Sequence, residues 1–292
     1  MFQSMTRLSR LYLGLPMWAN PEWCGSLYPP YGGQEGWLAD YARVFSAVEG
    51  NTTFYSGAPR SETVAGWSRQ VPANFRFCFK LPATLTHEQR LQGIESGFDA
   101  FLEALAPLHD RLGPLLVQLP RNFGYSELPR LEALLARWPP GIGCAVEVRH
   151  PEFFHKGVAE VALNRLLITH RANRAMLDVR ALFSTPAEGS PDLVRAQNEK
   201  PRCPLHVLST GEQPLIRFIG HLDESVNWHY FQPWINQVRL WINQGKTPFL
   251  FVHTANNRQA PQLARKLYQA FADDIGLLPM GDFAGERQTS LF

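Results

Sequence analysis

Cysteine is scarce in this 292-residue chain: four residues, Cys24, Cys78, Cys144 and Cys203, spaced far apart with no CxxC pair. That argues against a disulfide-stapled scaffold and a thiolate metal centre, and it fits reduced thiols in a cytoplasmic protein. Long apolar runs are missing as well. None approaches the roughly 18 residues that a membrane span needs. The first apolar stretch, 11–17, is broken by Gly14 and Pro16, so it reads as a strand rather than a signal peptide. Charge of one sign is not in surplus either. A formal net charge of +2 leaves nucleic acid conceivable as a partner but gives it no support, because non-specific binding needs a clearly basic face.

What is present is core material. Hydrophobic residues make up 45% of the chain and aromatic residues 12%, which argues against disorder. Eight short apolar runs recur, at 11–15, 44–49, 75–81, 114–119, 144–149, 175–179, 215–220 and 249–253. Most are nearly continuous, as strands buried on both faces are. Helical patterns lie between them at 98–108, 128–138, 158–168, 228–243 and 259–271. Strand–helix alternation repeated eight times predicts a parallel sheet closed into a single (β/α)₈ TIM-type barrel, which typically takes about 250 residues. Residues 1–277 form that domain, and residues 278–292 read as a flexible tail. Two long connections, 16–41 after strand one and 180–213 after strand six, leave the strands at the barrel's working end.

Polar residues gather where the strands end. Glu49, Asn51, Thr53 and Tyr55 follow strand two; Lys80 and His87 follow strand three; Gln118 ends strand four. Glu147, Arg149 and His150 end strand five, Asp178 and Arg180 strand six, Arg217 sits in strand seven and His253 in strand eight. Strand periodicity puts Glu49 with Asn51, and Glu147 with Arg149, on shared faces. Phe75, Phe77 and Phe79 facing the helices would leave Lys80 in the barrel mouth. One reading is structural: internal ion pairs, Glu147–Arg149 and Lys80–Glu49, that only hold the barrel together. The other is a ligand site, because so many ionisable groups on one rim exceed what structure alone needs.

The cations Lys80, Arg149, Arg180 and Arg217 suit a phosphate or carboxylate. Trp18 and Trp23 can stack on a sugar or base, or simply pack a lid. Glu49, Glu147, Asp178 and His253 are candidate ligands for a divalent metal, although no HxH or HExxH spacing supports one. No cofactor is identified from sequence.

The segments VEGNTTFY, FRFCFKLPATLTH, GPLLVQLP, AVEVRHPEFF, PLIRFIG and FLFVHTANNRQAP resemble the YecE-like family, domain of unknown function 72, in order and over about residues 11–271. The resemblance implies a TIM-type barrel and brings no established reaction. Its recurrent positions fall here on Glu49, Asn51, Thr53, Phe54, Tyr55, Lys80, His87, Gln118, Glu147 and Arg149. At strand eight, where many members have two asparagines, this chain has His253–Thr254.

The expectation is an enzyme acting on a small anionic substrate, a sugar phosphate or a nucleic-acid end. Arg149 and Arg217 would hold the anion, Lys80 would stabilise developing negative charge, and Glu49 or Glu147 would act as general base. Trp18, Asn51, Thr53, Tyr55, His87, Gln118, His150, Asp178 and His253 complete the expected substrate site. The alternative is a non-catalytic adaptor around a structural ion-pair network. A second site is expected in the last five residues, QTSLF. They resemble the peptide by which bacterial replication and repair proteins dock on the sliding clamp, with Gln288 for a polar pocket and Leu291 and Phe292 for an apolar cleft.

Overall fold

Each of the eight apolar runs forms a strand: β1 (Tyr12–Leu15), β2 (Ala47–Gly50), β3 (Arg76–Phe79), β4 (Leu115–Gln118), β5 (Cys144–Glu147), β6 (Asn173–Asp178), β7 (Leu215–Gly220) and β8 (Phe249–Thr254). They were located in a computed structural model that describes residues 11–187, 189–275, 277 and 280–286. Every pairing is parallel, in the order β3-β2-β1-β8-β7-β6-β5-β4. The ring closes between β3 and β4 through parallel bridges at Phe77–Leu112 and Lys80–Leu116. The Leu81 N–H donates to the Leu116 carbonyl across this seam, at 3.0 Å. The predicted TIM-type barrel is therefore what the chain builds.

Helices cover the outside. α1 (Trp37–Val44), α2 (Thr52–Ser56), α3 (Ser61–Gln70), α4 (Glu95–Ala104) and α5 (Leu128–Ala136) serve the first half. α6 (Val158–Thr169), α7 (Pro191–Glu199), α8 (Glu224–Asn243) and α9 (Ala260–Ile275) serve the second. The two connections read as long loops are partly helical, since α1 occupies the end of the first and α7 the middle of the second. Both are short, and α7 buries only Leu193 and Ala196, too little apolar periodicity to stand out in sequence. Helix α3 is hidden for the same reason, with Val64 its sole buried residue.

The chain beyond α9 does not leave the barrel at once. Phe283 is wholly buried against Phe45, under the Arg265 guanidinium 3.9 Å from its ring. The Ala284 N–H donates to Leu27 O at 3.2 Å, and Arg265 pairs with Glu286. The flexible tail expected over 278–292 is corrected over 280–286, which pack on the domain. Gln288, Leu291 and Phe292 lie outside the described residues. Among the described residues, no helix is long and apolar enough to cross a membrane.

Candidate functional site

Strand alternation builds the site in two layers. Tyr12, Ala47, Cys78, Leu116, Ala145, Ala175, Leu215, Phe249 and Phe251 form an apolar floor inside the barrel. Two residues further on, each strand points inward again. There stand Glu49, Lys80, Gln118, Glu147, Arg217 and His253, all buried, with Leu177 as the apolar member from β6. At β1 the corresponding residue is Gly14, where a Cβ would meet the Ala47 carbonyl oxygen at 2.1 Å.

Arg217 joins the two carboxylates. Its Nε and Nη2 donate to both oxygens of Glu49, at 2.6 and 2.9 Å, and its Nη1 donates to Glu147 Oε2. The other Glu147 oxygen accepts from Arg149 Nε at 2.8 Å, the pair expected from sequence. Lys80 Nζ donates to Gln118 Oε1 at 3.1 Å and lies 3.8 Å from Glu49 Oε1, above the Phe54 ring. The Lys80 backbone is fixed, since its carbonyl accepts from the Thr53 hydroxyl at 2.6 Å and its N–H reaches Gly50 O. His253 Nε2 is 3.7 Å from Glu49 Oε2 and buried without a hydrogen bond.

The charges shift one another. Burial pushes both glutamate carboxyls up, but Arg217 and its neighbours outweigh it, so Glu147 is held at about 2 and Glu49 well below its usual range. Burial, and then Arg217, press Lys80 down to about 7. Burial holds His253 at about 4, so it is neutral at pH 7. His87 is lowered by burial and then by Arg149 and Lys80.

One member of the cluster was missed in sequence. Lys200, at the end of α7, is partly buried, and its ammonium feels Arg217, Glu49, Glu147 and Arg149 while burial lowers its pKa. It lies far along a connection from any strand end, so no strand-end pattern marks it. α7 roofs one side of the mouth, with Leu193 and Ala196 packed on Leu177 and Ile219.

Exposure divides the cluster. The Glu49 and Glu147 side chains are 1% exposed and Arg217 3%, whereas Lys80 is 9% and Arg149 17%. His87 and Lys200 are more exposed than Lys80. The carboxylates are sealed behind guanidinium groups, and the face a ligand can reach is basic. All four oxygens of Glu49 and Glu147 accept from Arg217 or Arg149, which leaves neither carboxylate an open oxygen for the general-base role expected of it.

Other expected residues lie elsewhere. Asp178 faces the helices, where it binds Arg180 at 2.8 Å and the Trp234 indole N–H at 2.8 Å. It is no rim ligand, because it sits three residues past floor residue Ala175 and so on the opposite face. His150 caps the turn Pro151–Phe154. Trp23 is buried in its loop, donating to Asn257 O at 2.8 Å. Trp18, Asn51, Thr53 and Tyr55 line a separate cleft of about 460 Å³ beside the mouth, with Trp67 as its aromatic wall. Among the described residues no three His, Cys, Asp or Glu side chains converge as a metal set; Arg217 occupies the space between the two carboxylates.

Residues 12–281 match the family described as Protein of unknown function DUF72. The chain belongs to the DUF72 family. It is 40% identical over 286 residues to UPF0759 protein YecE of Escherichia coli strain K12, covering 97% of this chain and 100% of that protein. It has the fold of a DUF72 protein from Enterococcus faecalis, at 19% identity and TM-score 0.68, over 94% of this chain and 98% of that one. A Thermotoga maritima DUF72 protein matches at 21% identity and TM-score 0.68, over 89% and 98%. The DUF72 match takes in the whole charged layer and stops short of QTSLF.

Two outcomes follow for the layer. Arg217→Met strips buried Glu49 of both its hydrogen bonds and Glu147 of one of its partners, and is expected to cost about 3–5 kcal/mol in urea unfolding. The triple change Glu49→Leu, Glu147→Leu, Arg217→Met should recover most of that; no recovery would show that the loss does not come from stranded charge. For Lys80, the folded pKa of about 7 lies below the ordinary 10.5, so between those values the unfolded chain binds more protons. Stability should therefore rise with pH across that window, by at most about 1.4 kcal/mol per pH unit. The rise should vanish in Lys80→Met, and an unchanged profile in that variant would rule Lys80 out as its source.

Proposed function

We propose that the barrel mouth is an active site that binds the anionic part of a small phosphate-containing substrate, a sugar phosphate or a nucleic-acid end. The observation that supports this is the division by exposure: two sealed carboxylates, and a reachable face made of Arg149, Lys200 and His87 with the 9%-exposed Lys80 behind it. Arg149, oriented by Glu147, presents its remaining donors to the anion as a fork. Lys200 adds a second cation from the roof. Arg217, locked between two glutamates, is a fixed positive back wall and costs no reorganisation when charge develops in front of it. Lys80 titrates near neutral pH, as a group that takes up and returns protons must.

The competing reading is an adaptor whose network is purely structural, and the near-complete sealing of Glu49, Glu147 and Arg217 favours it for those three residues. Calorimetric titration with inorganic phosphate and ribose 5-phosphate separates the two. Binding should weaken about 10- to 100-fold in Arg149→Met, as loss of a charge-assisted hydrogen bond implies, with the fold retained by circular dichroism. Equal affinity in the two proteins, or none in either, removes the anion site.

We further propose that the terminal QTSLF tethers the barrel to the bacterial sliding clamp, its Gln288 satisfied in a polar pocket and Leu291 and Phe292 in an apolar cleft. Purified clamp titrated with the full chain should bind, and a chain lacking Leu291 and Phe292 should not. Indistinguishable curves would sink the tether.

A further inference from the structure

Among the chain's lysines, Lys80 is set apart by its burial in the charged layer. Among the described residues, the one hydrogen-bond partner of its ammonium is a neutral amide oxygen, Gln118 Oε1, at 3.1 Å. The carboxylate nearest to it, Glu49 at 3.8 Å, has both oxygens already engaged by Arg217 at 2.6 and 2.9 Å. The lysine therefore shares its counter-ion with a guanidinium that holds that carboxylate more closely. Its backbone is clamped on both sides by Gly50 and Thr53, and 9% of its side chain opens to the mouth. A desolvated amine beside another cation, on a rigid strand end, is how a nucleophilic lysine is made. Lys200 shares the mouth but sits on a connecting segment, without a backbone of the barrel to hold it.

We infer that Lys80 forms a covalent imine with the carbonyl group of a phosphate-bearing aldehyde or ketone. This inference rests on the anion-binding reading above and names the reaction class for that site. The Nζ lone pair adds to the carbonyl carbon, and the carbonyl oxygen takes up a proton. The carbinolamine then loses that oxygen as water, carrying the two protons that began on the amine, so amine plus carbonyl gives imine plus water with no redox partner. Protonation of the imine nitrogen by solvent gives an iminium, which draws electrons from a neighbouring carbon–carbon or carbon–hydrogen bond as the carbon fragment or the proton departs, and this places the protein among lyases or isomerases of carbonyl phosphates. The fall of Lys80 to about 7 leaves much of it unprotonated at neutral pH.

The test is reductive trapping. The full chain is incubated at pH 7 with dihydroxyacetone phosphate, reduced with sodium borohydride and mapped by peptide mass spectrometry. The expected label falls on Lys80, about tenfold or more faster than on Lys246 or Lys266. Excess inorganic phosphate should suppress it, unphosphorylated dihydroxyacetone should give far less, and Lys80→Arg, which keeps the cation, should abolish it. Label confined to Lys200, spread evenly over Lys156, Lys200, Lys246 and Lys266, or absent from Lys80 overturns the imine. Phosphate binding measured alongside keeps the two readings apart. Binding without trapping defeats the imine alone, whereas trapping that phosphate does not suppress upholds the imine and defeats the anion site.

Discussion

The interior of this barrel depends on one guanidinium. Arg217 reaches from β7 across the mouth to Glu49 on β2 and Glu147 on β5 and bonds both. A buried charged triad of this kind is not a source of net stability; apolar residues of similar volume do as well or better. Its physical effect is different. It fixes three side chains at one depth, keeps two carboxylates ionised where burial alone would neutralise them, and turns the oxygens of both toward arginine. Everything else in the layer adapts to that arrangement.

Lys80 shows the consequence most directly. A lysine this buried needs a carboxylate to remain an ammonium ion, and the carboxylate beside it is already taken. Burial and the positive charge of Arg217 together lower its pKa to about 7. Arg149 does have a carboxylate oxygen to itself: Glu147 holds it through Nε and Nη2, and part of its guanidinium remains in solvent. One triad thus produces a near-neutral amine and a fixed cation on the same reachable face, while α7 brings Lys200 over them from the roof.

The barrel was legible because strands buried on both faces are nearly continuous apolar runs, and all eight stood out. The pairs Glu147–Arg149 and Lys80–Glu49 were legible too, the first from period-two spacing within a strand end and the second from the inward parity of Lys80. Arg217 was recognised as a cation, but its bridging role was not, since the partners lie 168 and 70 residues away and meet only when the ring closes. Asp178 was misplaced because both faces of β6 are largely apolar, so nothing local states which parity points inward. Knowing that Ala175 lies in the floor settles it at once. Lys200 was invisible for a different reason: α7 has too narrow an apolar stripe to announce a helix, and without that helix there is no roof for a lysine to hang from.

These placements bear on whether the network is machinery or scaffolding. A network that only braces a barrel gains from complete pairing, because each buried charge without a partner costs stability. Here the pairing is complete for Glu49, Glu147 and Arg217 and incomplete for the residues around them. Lys80 has a neutral acceptor, His253 Nε2 has no hydrogen-bond partner, and Lys200 adds positive charge to a site where cations already outnumber carboxylates. The shortfalls at Lys80 and Lys200 lie around the mouth, and what these two lysines lack is negative charge and hydrogen-bond acceptors. An anion entering there would supply both at once, which gives a physical reason for the barrel to carry a charged layer that its stability does not require.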